Sequence, residues 1–217
     1  AKYSNRPELL GWYPLQRPDD HLPATPPALM SDLYNSLRGL DPVHPVCLAL
    51  SSLSRMAIYT PYCDVIMPWT DPKPVGDLRA VDTVLRQAQR LADGRKPVWP
   101  VLQISGAAYT QDARLDPQGA GRPPTPEEFR CMAYLAVARG AQGLFCYALT
   151  SPGARNQRPY DVRRDAPELW AMVRTVGQQL KALLPALTGG TAEPLKCTCS
   201  AVALRAVRYE GYGAGGV

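Results

Sequence analysis

The stretch "RPPTPEEFRCMAYLAVARGAQGLFCYAL", Arg122 to Leu149, carries a helix and a strand with their local signals intact. Thr125 can cap, Pro126 takes the first helical position, where its missing N–H costs nothing, and Glu128 completes a capping box. Gly140 ends the helix, and the apolar run from Gly143 to Leu149 reads as a buried strand. A helix passing at once into a buried strand is the repeating half of a parallel α/β architecture.

The same alternation extends toward the N-terminus. Apolar runs at Leu9–Leu15, Val46–Leu50, Val65–Trp69 and Val98–Ile104 read as further strands, and their lack of alternation suits a sheet covered on both faces. Leu29, Leu33, Leu37 and Leu40 recur at helical spacing between the first two. Leu78, Val81, Leu85, Ala88 and Ala92 line a second helix that Gly94 closes. Asp165 and Glu168 repeat the capping arrangement ahead of a last long helix, Leu169 to Leu187. Strand and helix in regular succession predict a parallel sheet with right-handed crossovers. About five such units are visible, whereas a closed barrel of this kind has eight and spans about 250 residues. After Gly189-Gly190 the pattern changes to period-two alternation through Ser200–Tyr209, so residues 1–190 form the expected α/β domain and 191–217 the beginning of a β domain or tail.

Composition bounds the function. The chain has 217 residues, 46% hydrophobic and 20% charged, which suffices for one sizeable core and excludes disorder. Its net charge of +5, from 24 basic and 19 acidic residues, is spread along the chain, against a nucleic-acid partner. The densest basic cluster, Arg155–Arg164, contains an aspartate and reads as a solvated loop. No apolar stretch approaches the roughly 18 residues of a membrane span, and no charged-then-apolar leader opens the chain. Of six cysteines, Cys47, Cys63, Cys131 and Cys146 fall in strands or a helix and read as buried thiols, while Cys197-Thr198-Cys199 lacks zinc-knuckle spacing. No metal or cofactor is expected: there is no dinucleotide fingerprint or phosphate-cradling loop, and His21 and His44 are too far apart in sequence to make a metal site.

Five segments in order, "RPELLGWYPLQRPDDH", "LYNSLRGLDPVHPV", "CDVIMPWTDPKP", "KPVWPVLQISG" and the Arg122–Leu149 stretch, resemble glycoside-hydrolase-like (β/α)8 TIM-barrel proteins. That group typically reads Gly-Trp-Tyr-x-x-Asp-Glu-Pro, then Leu-Asp-Pro-x-His-Pro-Val, then a Gln-ending strand, then Arg-x-Pro-Thr-x-Glu-Glu. The likeness runs from Arg6 to Leu187. It implies a partial barrel, with the visible units standing for the fourth to the eighth and the start of a C-terminal β domain following. The first units would then lie outside this chain, or a partner chain or second copy would complete the barrel. The resemblance also implies a secreted or cell-surface location and a carbohydrate ligand.

Where the family presents Asp-Glu-Pro, this chain has Gln16, Arg17 and Pro18. Resemblance assigns the general acid to that glutamate, and an arginine cannot protonate a leaving oxygen near neutral pH. Glycosidic hydrolysis needs two carboxyl groups flanking the bond, so carboxylates at the strand ends are the replacements to consider. Asp71, in "PWTDP", is a candidate catalytic carboxylate or an ordinary turn starter; Asp19 is a candidate displaced acid or a polar loop residue, as is Asp20. Trp69 and Tyr147 are candidate sugar platforms, and Gln103 can bond a hydroxyl where related barrels carry a nucleophile. Arg17, His21 and Tyr109 complete the expected substrate-binding set, with Asp112 in the same long loop as Tyr109, whereas Glu127 and Glu128 are explained by capping and His44 by a structural role. Three functions follow: a glycoside hydrolase, a catalytically inactive glycan-binding relative, or an assembly subunit whose open sheet edges are covered by another chain.

Overall fold

The computed structural model describes residues 3–21, 23–72, 77–106, 122–151 and 159–189, together with the backbone of 191–195 and 206–210. The helix of the Arg122–Leu149 stretch runs Pro126–Ala138. At its start the Glu128 amide donates to Thr125 Oγ1 at 3.2 Å, and the Thr125 amide donates to the Glu128 carboxylate at 2.8 Å. At its end Gly140 lies at φ 76°, its N–H reaching the Val137 carbonyl at 2.8 Å while the Ala141 N–H reaches that of Ala136 at 3.0 Å. Those two bonds form a Schellman closure, which needs a left-handed residue where Gly140 stands.

The strands are β1 (Cys47–Leu50), β2 (Val65–Pro68), β3 (Val101–Gln103) and β4 (Phe145–Tyr147), and the helices packed with them are α1 (Pro27–Leu40), α2 (Met56–Tyr59), α3 (Arg79–Ala92) and α4 (Pro126–Ala138). β1 pairs in parallel with β2, Cys47 opposite Val65, and β3 with β4, Val101 opposite Phe145. Parallel bridges Ile66 to Val98 and Trp69 to Val101 join the two pairs, and Trp12 to Val46 and Gln16 to Ala49 add the N-terminal segment. Five segments therefore lie side by side in chain order.

The first of them is not a continuous strand. Pro14 has no N–H to give the ladder, so pairing reduces to bridges at Trp12 and Gln16. Gly11 lets it approach β1: a side chain there would sit 2.8 Å from the Pro45 carbonyl oxygen.

One sheet face carries Leu48, Leu50, Ile66, Val98, Leu102 and Ile104, all buried in the larger core. α3 contributes Val81, Val84, Leu85, Ala88 and Ala92 to it, and α4 Phe129, Met132, Ala133 and Ala136. The opposite face carries Cys47, Ala49, Val65, Met67, Trp69 and Val101, which form a second, smaller cluster.

Several local expectations need correction. In α1 only Met30 is fully buried, and Leu29 and Leu40 are exposed; Leu33 packs on the core and Tyr34 bonds Asp64, so the inward face is rotated from the leucine stripe. Phe145 and Cys146 in β4 are exposed, and so is Cys131 on α4, leaving only Cys47 and Cys63 as buried thiols among the described cysteines. Asp165 does not cap the last helix. It ends a short helix α5 (Val162–Asp165), whose N-cap is Asp161, and accepts a 2.8 Å bond from the Asp161 N–H; the long helix α6 begins afresh at Pro167 and runs to Gly189. α5 follows a short antiparallel pair, β5 (Thr150–Ser151) with β6 (Tyr160–Asp161). Beyond α6, β7 (Thr191–Leu195) pairs antiparallel with β8 (Ala206–Glu210).

His44 has the structural role expected of it. Buried Asp41 accepts bonds from the Val43 and His44 amides, the Trp12 indole and the His44 ring, which together tie the "DPVHP" turn to the first segment.

Candidate functional site

The carboxyl ends of the parallel segments meet around Trp69. This residue follows β2, and its N–H donates to the Leu50 carbonyl at 2.9 Å, which fixes its backbone to the end of β1. Its indole packs against Tyr147 from the end of β4, ring centroids 4.4 Å apart and tilted by 54°, while the indole N–H donates to Asp71 at 2.9 Å.

Arg17 lies over the same ring, its guanidinium carbon 4.9 Å from the centroid. It also faces two carboxylates, Asp20 at 3.7 Å and Asp71 at 3.8 Å. An arginine stacked on an aromatic face while facing carboxylates uses both the planarity and the charge of its fork. Arg17 holds this position from a left-handed backbone at φ 47°, an uncommon conformation for a side-chain-bearing residue. The tight turn it starts is closed by the Asp20 N–H to the Arg17 carbonyl at 3.0 Å.

Burial pushes the Asp71 carboxyl above the ordinary carboxylate range, against the opposing pull of the Trp69 N–H and Arg17. Tyr13, facing Arg17 and Tyr147, is pushed up to about 12 by burial and by Tyr147.

Trp69 and Tyr147 also line a hollow of about 310 Å³ on the uncovered sheet face, with Cys47, Met67, Val101 and Phe145 among others. Trp99, stacked on Phe145 at 5.9 Å, closes one side, and Leu10, Tyr13 and Gln16 of the first segment close another. Such a hollow, apolar with a few polar groups at its edge, has the size and character of a small-ligand site.

Of the residues expected at a site, Arg17, Trp69, Asp71 and Tyr147 come together. Gln103 is adjacent, paired in register with Tyr147, but its amide turns back to the Ser105 carbonyl at 2.9 Å and it is buried. His21 is exposed and does not line the hollow. Asp19 is fully buried and does not line the hollow, and its Oδ2 accepts from the Ser51 and Ser52 amides at 2.9 and 2.7 Å. Tyr109 and Asp112 lie outside the described residues. Glu128 is engaged by capping and by Arg122 at 2.7 Å.

Sequence reading missed Tyr13, Cys47, Met67, Trp99 and Phe145. The signal was present: Cys47 and Ala49, Val65, Met67 and Trp69, Trp99 and Val101, Phe145 and Tyr147 are alternate positions, which share one face of a strand.

Among the described residues no cluster of three metal-ligating side chains gathers, and no helix is long and apolar enough to cross a membrane. Compared with known proteins, the chain matches no family model and no curated protein.

Proposed function

We propose that this chain is a glycoside-hydrolase-like, partial (β/α)8 protein that binds carbohydrate without cleaving it. The observation that carries the reading is Arg17, standing where the related barrels have their acid and lying over Trp69 beside Asp20 and Asp71. Each nearby carboxylate is thereby engaged: Asp20 and Asp71 by the guanidinium, Asp19 by two backbone amides. Hydrolysis asks for one carboxyl to give up a proton and a second to attack or activate water. Recognition asks only for fixed donors and acceptors beside an apolar surface. Arg17, Asp71 and the Tyr13 hydroxyl supply the former for sugar hydroxyls, and the aromatic group at Trp69 and Tyr147 supplies the latter.

A hydrolase reading is favoured by the place of Asp71, a carboxylate bonded to the Trp69 indole beside the hollow-lining aromatics, with its carboxyl shifted upward, the direction a general acid requires. The two readings separate in one experiment. Calorimetry with an oligosaccharide panel should give binding that Arg17→Ala weakens by about tenfold or more, the worth of a charged hydrogen bond. Aryl glycosides should not be turned over. Release of the aryl group, abolished by Asp71→Asn, would establish the hydrolase instead, and lack of affinity for every saccharide would remove both.

A further inference from the structure

We propose that Asp19 is a positioning residue for Arg17, an anchor that sets the guanidinium over Trp69 from beneath the loop. Three observations carry this. First, Asp19 is fully buried, an unusual place for a carboxylate, and its Oδ2 accepts both the Ser51 and the Ser52 amide at 2.9 and 2.7 Å. Second, those amides directly follow Leu50, whose carbonyl receives the Trp69 N–H at 2.9 Å. The end of β1 therefore holds the Arg17 loop by one set of groups and the Trp69 backbone by the next. Third, the loop has little other means of holding a left-handed Arg17: the Asp20 N–H to Arg17 carbonyl turn, the Thr25 N–H to the Pro18 carbonyl at 3.0 Å, and Arg55 Nη1 to the Asp19 carbonyl at 3.2 Å all depend on residues 17–20 keeping their path.

The charged and titratable groups around Asp19 are Asp20, Arg55 and Tyr59. Burial raises the Asp19 carboxyl above its ordinary range, a cost of holding it ionised that the Ser52 and Ser51 amides and its own backbone amide offset in part.

The consequence for sugar affinity rests on the carbohydrate-binding reading, but the anchor itself is tested without any sugar. Arg17 lowers the titration of Asp71, so releasing Arg17 raises it. Carbon-13 NMR titration of the Asp71 carboxyl in Asp19→Ala should move the midpoint upward by on the order of one pH unit, the effect of losing an adjacent opposite charge, and by the same amount as in Arg17→Ala. Loss of the Asp19 charge acting directly on Asp71 would move the midpoint down, so a rise that matches the one in Arg17→Ala reports displacement of Arg17, whereas a larger rise reports that the Trp69 N–H has left Asp71 and overturns the proposal. An unchanged or lowered midpoint in the folded variant would overturn the proposal. If Asp19→Ala does not fold, Asp19→Asn takes its place: a neutral oxygen accepts the two amides more weakly, and the midpoint should rise by a smaller amount. No rise in that variant overturns the proposal equally. With sugar present, Asp19→Ala should lose affinity by the same factor as Arg17→Ala; if neither wild type nor variant binds sugar while the Asp71 midpoint rises, the anchor stands and the carbohydrate reading falls.

Discussion

Asp41 illustrates how one side chain organises its surroundings. Burial opposes its charge, but the His44 amide and ring, the Trp12 indole and the Val43 amide outweigh that and hold its carboxyl well below the usual range. A carboxyl depressed in the folded state contributes stability above its unfolded value and loses it as the pH falls through the folded one. Thermal melts of the wild type should therefore lose stability as pH drops below the ordinary 3.8, and Asp41→Asn should be less stable at neutral pH with a flatter acid limb. Equal acid limbs in both proteins would show that Asp41 is not the group responsible. The structural role of His44 was legible because "DPVHPV" confines it to a proline-flanked turn. Asp19 was less so: sequence gives a carboxylate after a strand, and only the approach of residues 51 and 52, more than thirty positions on, turns it inward.

Local signals predicted elements best where they are complete within a few residues. The capping box and the Schellman closure of α4 use neighbouring groups only, so they were readable from Thr125, Glu128 and Gly140. Each should be measurable: Thr125→Ala should cost about 1 kcal/mol of unfolding free energy by removing the cap, and Gly140→Ala about 1 kcal/mol through its φ of 76°, since no atom crowds a methyl group there closer than the Gln89 amide at 3.8 Å. Denaturant melts giving no loss for either would contradict the geometry. Elements whose form depends on distant partners read less well. Pro14 cuts the first segment to two bridges, and Asp165 spends its carboxylate on the preceding short helix, although both stretches carry strong local patterns. The inward face of α1 is set by Met30 and Tyr34 meeting the core and Asp64, which the leucine spacing alone does not encode.

Taken whole, the described chain has one sheet face under helices and one facing a hollow that Trp69 and Tyr147 line, with Arg17 lying over the Trp69 ring. The alternation of strands and helices pointed to parallel pairing of neighbouring segments, and Trp69 and Tyr147 were named from their strand ends, whereas the rest of the hollow was not read, because alternate positions reveal a shared face only once register is known. With Leu10 and Phe145 exposed along its edges, the hollow should bind an apolar dye such as anilinonaphthalene sulfonate, and Phe145→Ser should reduce the fluorescence without abolishing the cooperative melt. Scattering mass that rises with concentration would accompany this if a second copy covers the face, and full dye binding in Phe145→Ser would mean that the fluorescence comes from another surface. The ladder has a temporal implication as well. Among the described residues every parallel contact joins a segment to the one just before it in the polypeptide, from Trp12 with Val46 through Val101 with Phe145. Within these five segments no strand waits for a neighbour synthesised much later, so this part of the sheet can grow on the ribosome in the order in which its residues emerge.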